Sequence, residues 1–464
     1  MNLPPELGIF SRNMENFTSN KFKLEVQGSG ASAKQGNIIS VLLPENSIID
    51  LKNLRMCFKM SAKAAGAEGI SVIGDDARSV IQSLNVFING VSVQQNMPEY
   101  STLCHVLGLI DNNTNRQNSV DNVLTNGLMY SGNELTAPEQ KDMVINTWRG
   151  FLGESNMRYM DTSLFGSVQI RITLAPPAAV VAPFCTVNKI GFEDVSGVSH
   201  SALDYELTDI YFTVECISLG MDYSRVLREM IERDGLLPIN YREYYNYPLP
   251  NQSGTSFVNR FQLSTQSLNA LYGVSRRSTY TNNDGLKPYN WASAPAPDTW
   301  KGAYKHTEAL GGGAFSNAYY KFNSFTSEAA ADKHLNTSMS WQWRVNNVNS
   351  PQYPATLLQA AADLISISDK HDVKRDFGNL ISTFPDFKLS KCIIPLRLAF
   401  NDNISLTSGY NTRGVNSTMS LDVRNLNALT IQQSNSTGTY DNLVFASTTA
   451  TLKVAPGKAL AVSY

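Results

Sequence analysis

The alternation of apolar and polar side chains in residues 166–174 and 207–216 constrains the fold more than any other feature of the chain. In the first of these segments Val168, Ile170 and Ile172 fall on one face, and the residues between them are polar or charged. A period of two is typical of a strand that buries one face. Both segments therefore predict strands of a β-sheet that packs one side against a core.

A change of period separates these strands from a second run of strands. Residues 226–231 have the apolar spacing of a helix, with Asp222 placed to cap its start and Gly235 its end. Alternation returns at residues 239–244. A β-domain that ends in a helix and then starts again predicts two stacked β-domains, and 464 residues are enough for two large cores.

Strand patterns recur on both sides of this helix. A hairpin is predicted at residues 84–93, where Asn89 and Gly90 favour the positive φ angles of a type I′ turn. The other strand candidates are residues 21–26, 37–43, 51–60, 166–174, 207–216, 239–244, 257–272, 341–345, 392–400, 419–423 and 452–464. Each half thus offers roughly eight strands over about 220 residues, which favours a jelly roll over a seven-stranded sandwich.

The segments between the strand candidates are predicted to be helices or loops. Residues 98–109 and 357–365 have helical spacing and occupy similar places in the two halves. Three other segments are predicted to be loops because they are rich in glycine and alanine, in polar residues, or in proline: residues 62–74, 111–142 and 175–183.

The prediction is an all-β chain of two consecutive eight-stranded jelly rolls (a double jelly roll) with a few short inserted helices. The predicted parts are an N-terminal arm at residues 1–20, a first jelly roll at 21–220, a connecting helix at 221–238 and a second jelly roll at 239–464, with a large insertion at about 275–340. A structureless loop of that length would be unusual in a compact domain. We therefore expect the insertion to be a protrusion with short strands of its own.

Composition narrows the class of protein. Apolar residues make up 42% of the chain and charged residues only 17%, below the roughly 25% of an average soluble protein. Asn, Ser, Thr and Gln replace the missing charges, which suits a surface that packs against copies of itself, because buried charges are costly to desolvate. The same composition also fits the loop surface of any all-β protein. The formal net charge of −2 argues against a nucleic-acid binder held by phosphate contacts.

The cysteine pattern and the first residues of the chain indicate the cellular compartment in which the protein is made. The five cysteines are odd in number and far apart: Cys57, Cys104, Cys185, Cys216 and Cys392. Without a CxxC pair they predict buried free thiols in a reducing compartment rather than a zinc ribbon or a disulfide framework. Residues 1–7 lack a positive segment followed by an apolar core, so we expect no signal peptide. The longest apolar run, residues 175–184, is too short to span a bilayer.

Segments along nearly the whole chain resemble a known family in order and spacing. In the first half they are residues 42–51, residues 88–93 with the helix that contains Tyr100, residues 148–177 and residues 204–219. In the second half they are residues 261–268, 343–347, 351–354, 408–412 and 419–423. Together they resemble the double jelly-roll major capsid proteins of the adenovirus, virophage and polinton-like virus lineage.

The strands of a jelly roll are lettered B to I in chain order, and the resemblance assigns some of them. Residues 42–51 resemble the turn from strand B to strand C, and residues 88–93 resemble the C–D hairpin. Residues 148–177 resemble the F and G region, and residues 204–219 resemble the last strand with the connector that follows it.

The resemblance implies a structural protein that self-assembles rather than an enzyme. Three chains would form a pseudo-hexameric homotrimer, and trimers would tile an icosahedral shell together with penton and minor capsid proteins. The implied location is the virion, after synthesis in the host cytoplasm or nucleus. No cofactor, metal or sequence-specific nucleic acid is implied, and the presence of a membrane beneath the shell stays open.

Two patterns imitate binding sites, and their context argues against both. Residues 28–33, with Asp50 about 20 residues later, imitate a dinucleotide fingerprint, but the helix it requires is replaced by a turn and a strand. Residues 111–115 imitate a calcium loop, but Arg116 stands where glycine is needed and Asn122 where a bidentate glutamate belongs. We therefore predict no cofactor or metal site.

Catalytic constellations are equally weak. His105, His200, His306, His334 and His371 lie far apart, without metal-ligand spacing. The pair His371 and Asp372 could belong to a triad, but no Gly-x-Ser-x-Gly elbow or paired cysteine nucleophile accompanies it. We predict no catalytic residue, although carboxylates on different strands could still converge as a glycosidase pair.

The alternative to a capsid protein is a two-domain β-sandwich carbohydrate-binding protein or glycosidase. Exposed aromatic side chains would then stack on sugars. The candidates are Trp291, Trp300, Tyr304, Tyr319 and Tyr320. The lack of a secretory signal counts against this alternative.

Overall fold

The structure is a computed structural model in which two sets of sheets follow one another along the chain. It describes residues 18–28, 32–63, 69–73, 77–110, 128–130, 140–186, 204–218, 229, 232–233, 235–278, 318–320, 322–326, 339–367, 387–388, 391–401, 403–413, 418–427 and 439–464. Within these residues, no helix is long and apolar enough to cross a membrane.

The first half contributes thirteen of the described strands. They are β1 (Thr18–Glu25), β2 (Ser32–Ala33), β3 (Ile38–Leu42), β4 (Ile48–Lys63), β5 (Gly69–Ile73), β6 (Ile81–Ile88), β7 (Val91–Pro98), β8 (Leu128–Tyr130), β9 (Gln140–Ile145), β10 (Tyr159–Asp161), β11 (Val168–Leu174), β12 (Val181–Thr186) and β13 (Asp204–Ser218). The helices are α1 (Tyr100–Ile110), α2 (Thr162–Phe165) and α3 (Pro177–Val180), with 3-10 turns at Ala77–Val80 and Gly150–Leu152.

The second half contributes nine more. They are β14 (Leu237–Gln252), β15 (Phe257–Gln262), β16 (Leu268–Arg277), β17 (Ser340–Val345), β18 (Val348–Thr356), β19 (Ile393–Arg397), β20 (Thr418–Arg424), β21 (Tyr440–Ala455) and β22 (Ala459–Ser463). One longer helix, α4 (Leu357–Ile367), and 3-10 turns at Ala318–Tyr320 and Pro456–Lys458 accompany them.

Both halves have the strand order of a jelly roll. The first roll has one sheet in the order β1-β13-β4-β10 and a second in the order β3-β11-β6-β7. The second roll repeats this arrangement as β14-β21-β16-β19 and β15-β20-β17-β18. With eight strands lettered B to I in chain order, both rolls read B-I-D-G and C-H-E-F. The predicted double jelly roll is therefore confirmed.

The helices also occupy equivalent places. Helix α1 follows β7, which is strand F of the first roll, and α4 follows β18, which is strand F of the second. Helix α4 buries an apolar face, as its sequence spacing predicts, whereas in α1 every residue from Tyr100 to Leu107 is buried. The prediction of helices at similar positions in the two halves is confirmed.

Residues 166–174 and 207–216 supply the strands β11 and β13, but β13 contains an irregularity. In β11 every second side chain is buried, as predicted. In β13 Leu207 and Ile210 are both buried, because the pairing with β4 shifts between Thr208 and Tyr211. Asp209 lies in this shift with φ at +49°. The β-bulge changes the phase of the alternation, so that Phe212 and Val214 also face the core.

The predicted hairpin is confirmed in detail. Strands β6 and β7 are joined by Asn89 and Gly90, whose φ angles are +48° and +78°. Positive φ at both positions is the requirement of a type I′ turn, which asparagine and glycine meet at low cost.

Three predicted loops are wrong in part. Residues 62–74 include the end of β4 and all of β5, and residues 111–142 include β8 and the start of β9. Residues 175–183 include α3 and the start of β12. Strands β12, β5 and β8 pair in a small separate sheet. Their partners are far apart in the sequence, so local composition gave no signal for them.

The strand letters assigned by resemblance are also corrected. Residues 42–51 connect β3 to β4, so they form the C–D turn rather than the B–C turn. Residues 88–93 belong to the E–F hairpin rather than the C–D hairpin, and residues 148–177 contain strands G and H rather than F and G. A local pattern identifies a strand, but its letter depends on long-range pairing.

The described residues include parts of the predicted arm and of the predicted connecting helix. Strand β1 begins at Thr18, inside the predicted arm at residues 1–20. In the predicted connecting helix, Glu229, Glu232 and Arg233 are helical, and Gly235 has φ at +75°. Most of this helix and of the insertion lies outside the described residues, so both stay predictions.

We expect replacement of Ile172 by alanine to destabilise the first roll. Ile172 is fully buried on β11, and deleting such a side chain typically costs about 2–5 kcal/mol of unfolding free energy. Thr173 lies on the outer face of the same strand, so Thr173→Ala should cost less than about 1 kcal/mol. Urea denaturation of both variants measures the difference. Equal losses would contradict the assignment of faces.

Candidate functional site

Of the residues considered as sites in the sequence, Gly28, Asp50, His105, Tyr319 and Tyr320 are among the described residues. Gly28 is followed by β2 rather than by a helix, so the dinucleotide fingerprint lacks its required context. Asp50 is buried, and its carboxylate accepts hydrogen bonds from the Arg158 side chain and the Asn53 amide. Both interactions lie within the first roll. No group of three or more potential metal ligands occurs among the described residues.

His105 is the described member of the five histidines. It is buried on α1 with its ring 5.2 Å from that of Tyr320 and 5.6 Å from that of Phe322. It is therefore part of the packing rather than an exposed acid or base. The calcium-like segment at residues 111–115, the pair at 371–372 and the remaining histidines lie outside the described residues.

Two aromatic residues named for the carbohydrate alternative are not exposed. Tyr319 and Tyr320 are both buried, and the Tyr320 hydroxyl donates to the Ala179 carbonyl at 3.0 Å. Their prediction as sugar-stacking residues is wrong, because they pack between the two rolls. Trp291, Trp300 and Tyr304 lie outside the described residues.

The two rolls are joined at a junction by hydrogen bonds and by one ion pair between described residues. Its first component is main-chain pairing between residues 154–156 and strand β14. The Asn156 amide donates to the Asn240 carbonyl, and the Arg242 amide donates to the Glu154 carbonyl, both at 2.9 Å. The B-strand edge of the second roll is thus covered by the segment that precedes strand G of the first roll.

Tyr241 fastens the same edge to strand F of the first roll. Its hydroxyl donates to the Val93 carbonyl at 2.6 Å, and its ring meets Phe151 edge-on at 5.3 Å. Burial raises the pKa of the Tyr241 phenol, so the hydroxyl remains a donor over the accessible pH range. Aromatic contact and hydrogen bond together fix the distance between β14 and β7.

The carboxylate of Glu99, whose side chain is 16% exposed, forms the second component of the junction. Glu99 stands between β7 and α1 and accepts at its Oε2 from Tyr319 at 2.7 Å and from Thr102 at 2.8 Å. Arg276 of β16 donates to the same oxygen at 3.3 Å, and its guanidinium lies 4.0 Å from the centre of the Tyr319 ring. Glu99 and Thr102 belong to the first roll, and Arg276 and Tyr319 to the second.

The electrostatics of this cluster follow from its position. Burial by itself would raise the pKa of Glu99, but the charge of Arg276 and the hydrogen bonds from Tyr319 and Thr102 outweigh it and lower the pKa. The carboxylate therefore stays ionised and paired at neutral pH. We call Glu99, Arg276, Tyr319 and Thr102 the inter-roll clamp.

Residues on either side of β22 add a third contact. The Tyr464 hydroxyl donates to the Ser92 carbonyl at 3.3 Å, and the Asn89 side chain donates to the Lys458 carbonyl at 3.4 Å. Helix α2 of the first roll also touches the 3-10 turn at Pro456–Lys458. The E–F hairpin and the G–H connection of the first roll are thus covered by the end of the second.

Sequence reasoning missed the clamp. Glu99 and Arg276 are 177 positions apart, and neither belongs to a motif. The one available signal was the position of Glu99 immediately before a helix, which favours a carboxylate but does not identify an arginine partner.

Comparison with solved structures places the fold among virus capsids. The chain is 14% identical to a chain of the PBCV-1 virus capsid, with a TM-score of 0.59 and 97% of each chain covered. The Faustovirus major capsid protein is 7% identical, with a TM-score of 0.55, over 95% of this chain and 90% of that one. A Sputnik virophage chain is 12% identical, with a TM-score of 0.54, over 97% and 88%.

Sequence comparison adds no closer relative. No protein-family model matches the chain, and no curated protein sequence matches it. At these identities the structural likeness defines the fold, a double jelly roll over nearly the whole chain.

We expect Glu99→Gln to destabilise the junction and to weaken its response to acid. Breaking one partner of a buried ion pair typically costs about 3–5 kcal/mol, and we expect the lower end of this range because the Glu99 side chain is 16% exposed. Because the folded-state pKa of Glu99 is lowered, its charge stabilises the fold above the unfolded-state pKa, and this contribution is lost as pH falls through the folded-state pKa. Thermal unfolding of both proteins between neutral and acid pH measures the effect.

The matched control for this experiment is Asp422→Asn. It breaks the ion pair between Asp422 and Arg424 on the outer face of β20, where Arg424 is exposed. Exposed pairs contribute little, so this variant should follow the wild-type pH profile. A Glu99→Gln variant with an unchanged acid response would contradict the role of the clamp.

Proposed function

We propose that this chain is the major capsid protein of an icosahedral virus. The observation that carries the proposal is the repetition of one jelly-roll topology twice in a single chain, in a fold shared over nearly its full length with chains of virus capsids. Faustovirus supplies a neighbour that is itself a major capsid protein. The function is then self-assembly rather than catalysis.

The physical basis is the rigidity of the two-roll unit. Main-chain pairing, Tyr241 and the inter-roll clamp hold both rolls at one fixed relative orientation. Three such chains present six similar rolls, which gives a trimer a pseudo-sixfold outline. Trimers of that outline tile a surface through lateral contacts. Each contact is weak, but many contacts together make the shell stable.

The low charge of the chain supports the same proposal. Charged residues are 17% of the chain, and uncharged polar residues are abundant. Lateral contacts between trimers therefore bury few charges, which lowers their desolvation cost. Penton and minor capsid proteins are further partners under this proposal, and the protein resides in the virion after synthesis in the host cytoplasm or nucleus.

The aromatic residues that the structure describes do not support the carbohydrate-binding alternative. Tyr319 and Tyr320 are buried in the junction and offer no face to a sugar. We therefore do not propose it as a second function.

We expect the purified chain to be a trimer in solution. Light scattering on a sizing column should give about three times 51.1 kDa, or larger shells under assembly conditions. Electron microscopy should show particles of hexagonal outline. A monomer at every concentration would overturn the proposed function.

We expect deletion of residues 1–17 to leave trimers intact and to impair shell formation. The deleted segment precedes β1, so the described sheets keep all their strands. An arm of this kind contributes where it meets a neighbour rather than within its own roll. Light scattering of trimers and electron microscopy of shells test both parts. Loss of the trimer itself would contradict this role of the arm.

A further inference from the structure

The junction inside the chain uses two different surfaces, one from each roll. The first roll contributes strand F (β7), whose carbonyls accept hydrogen bonds from the second roll. It also contributes Asn89, whose side chain donates a hydrogen bond to the second roll. The second roll contributes strand B (β14), whose outer edge pairs with residues 154–156. Because both rolls share one topology, each of these surfaces has a counterpart on the other roll.

The counterpart of β14 is β1, and it is open. Strand β1 is an edge of its sheet and pairs there with β13 alone among the described strands. Its residues are exposed apart from Leu24, and the side chain of Phe22 is 48% exposed. A long open edge with an exposed aromatic is a template for association unless another chain covers it.

The counterpart of β7 is β18, and it is open as well. The turn before β18 repeats the turn before β7, with φ at +47° for Asn346 and +67° for Asn347. Val348 therefore corresponds to Val91. Val348 is 63% exposed and Tyr353 is 55% exposed, whereas in β7 the carbonyls of Ser92 and Val93 accept hydrogen bonds from the second roll.

Exposed apolar side chains also lie on the elements of the second roll that correspond to α1 and α2 of the first roll. The connection from G to H in the second roll carries Phe400, which is 93% exposed. The same connection in the first roll contains α2, which is covered by the turn at Pro456–Lys458. Six of the seven exposed large apolar residues described after residue 237 lie on β18, on helix α4 after it, or in this connection: Val348, Tyr353, Leu358, Phe400, Leu406 and Tyr410.

We infer that the β18 side of the second roll binds the β1 edge of a second copy, in the way that the β7 side of the first roll, with residues 154–156, binds β14 within the chain. The contact is heterologous, since each copy contributes a different surface to it. Three such contacts close a ring in which contacts within chains and contacts between chains alternate. The inference rests on the proposed function and names the surfaces that build its trimer.

The test uses two variants and one matched control. Val348→Asp places a charge on the β18 side of the second roll, and Phe22→Glu places one on the β1 edge. Val258→Asp is the control, because Val258 is also an exposed valine on a strand of the second roll. It lies on β15, at the opposite edge of the sheet from β18. Circular dichroism verifies folding, and serine variants at the same positions replace any that fail to fold.

Light scattering over a range of concentrations gives the expected result. Wild type and Val258→Asp should be trimers at concentrations at which Val348→Asp and Phe22→Glu are monomers, with association weakened at least about 100-fold. Mixing the two monomeric variants should produce a dimer of about twice 51.1 kDa, because one intact contact forms between them and the ring cannot close.

The contrary outcomes separate the two proposals. Folded Val348→Asp and Phe22→Glu variants that remain trimers would overturn this inference and leave the proposed function intact. A mixture that stays monomeric, or a Val258→Asp control that dissociates equally, would also overturn it alone. A monomeric wild type would overturn the proposed function and this inference together.

Discussion

The carboxylate of Glu99 carries a charge at a position that is largely shielded from water, and side chains from both rolls stabilise it. Tyr319, Thr102 and Arg276 converge on one of its oxygens, so the charge is satisfied only when the two rolls are docked. An unpaired charge at this depth would be strongly unfavourable, which penalises every other relative position of the rolls. The orientation of the rolls, and with it any larger assembly, depends on this constraint.

The aromatic residues of the junction add contact area to that constraint. Tyr241 packs on Phe151 and bonds to the main chain of β7, and His105 lies against Tyr320 and Phe322. Tyrosine suits such a boundary because it combines a large apolar ring with one hydroxyl donor. The buried apolar residues of both rolls thereby form one continuous hydrophobic cluster.

Local features of the fold could be predicted from the sequence, whereas features that depend on distant partners could not. The buried face of β11 and the Asn89–Gly90 turn follow from side-chain period and backbone preference within a few residues. The letter of each strand depends on which other strands it pairs with. The sheet β12-β5-β8 is formed by three segments that are far apart in the sequence. The burial of Tyr319 depends on Glu99, more than two hundred positions away. No local pattern contains that information.

The anchoring of Tyr319 and Tyr320 has a consequence for how such a protein varies. The chain leaves the second roll at Ser278, which is bonded to Thr439 and Asp441, and is held again where Tyr319 and Tyr320 bind the first roll. Both ends of the joining segment are thus held by described residues, and lengthening a connection between fixed ends changes its closure entropy only slowly. A peptide inserted between these two anchors would therefore leave the described contacts of both rolls in place.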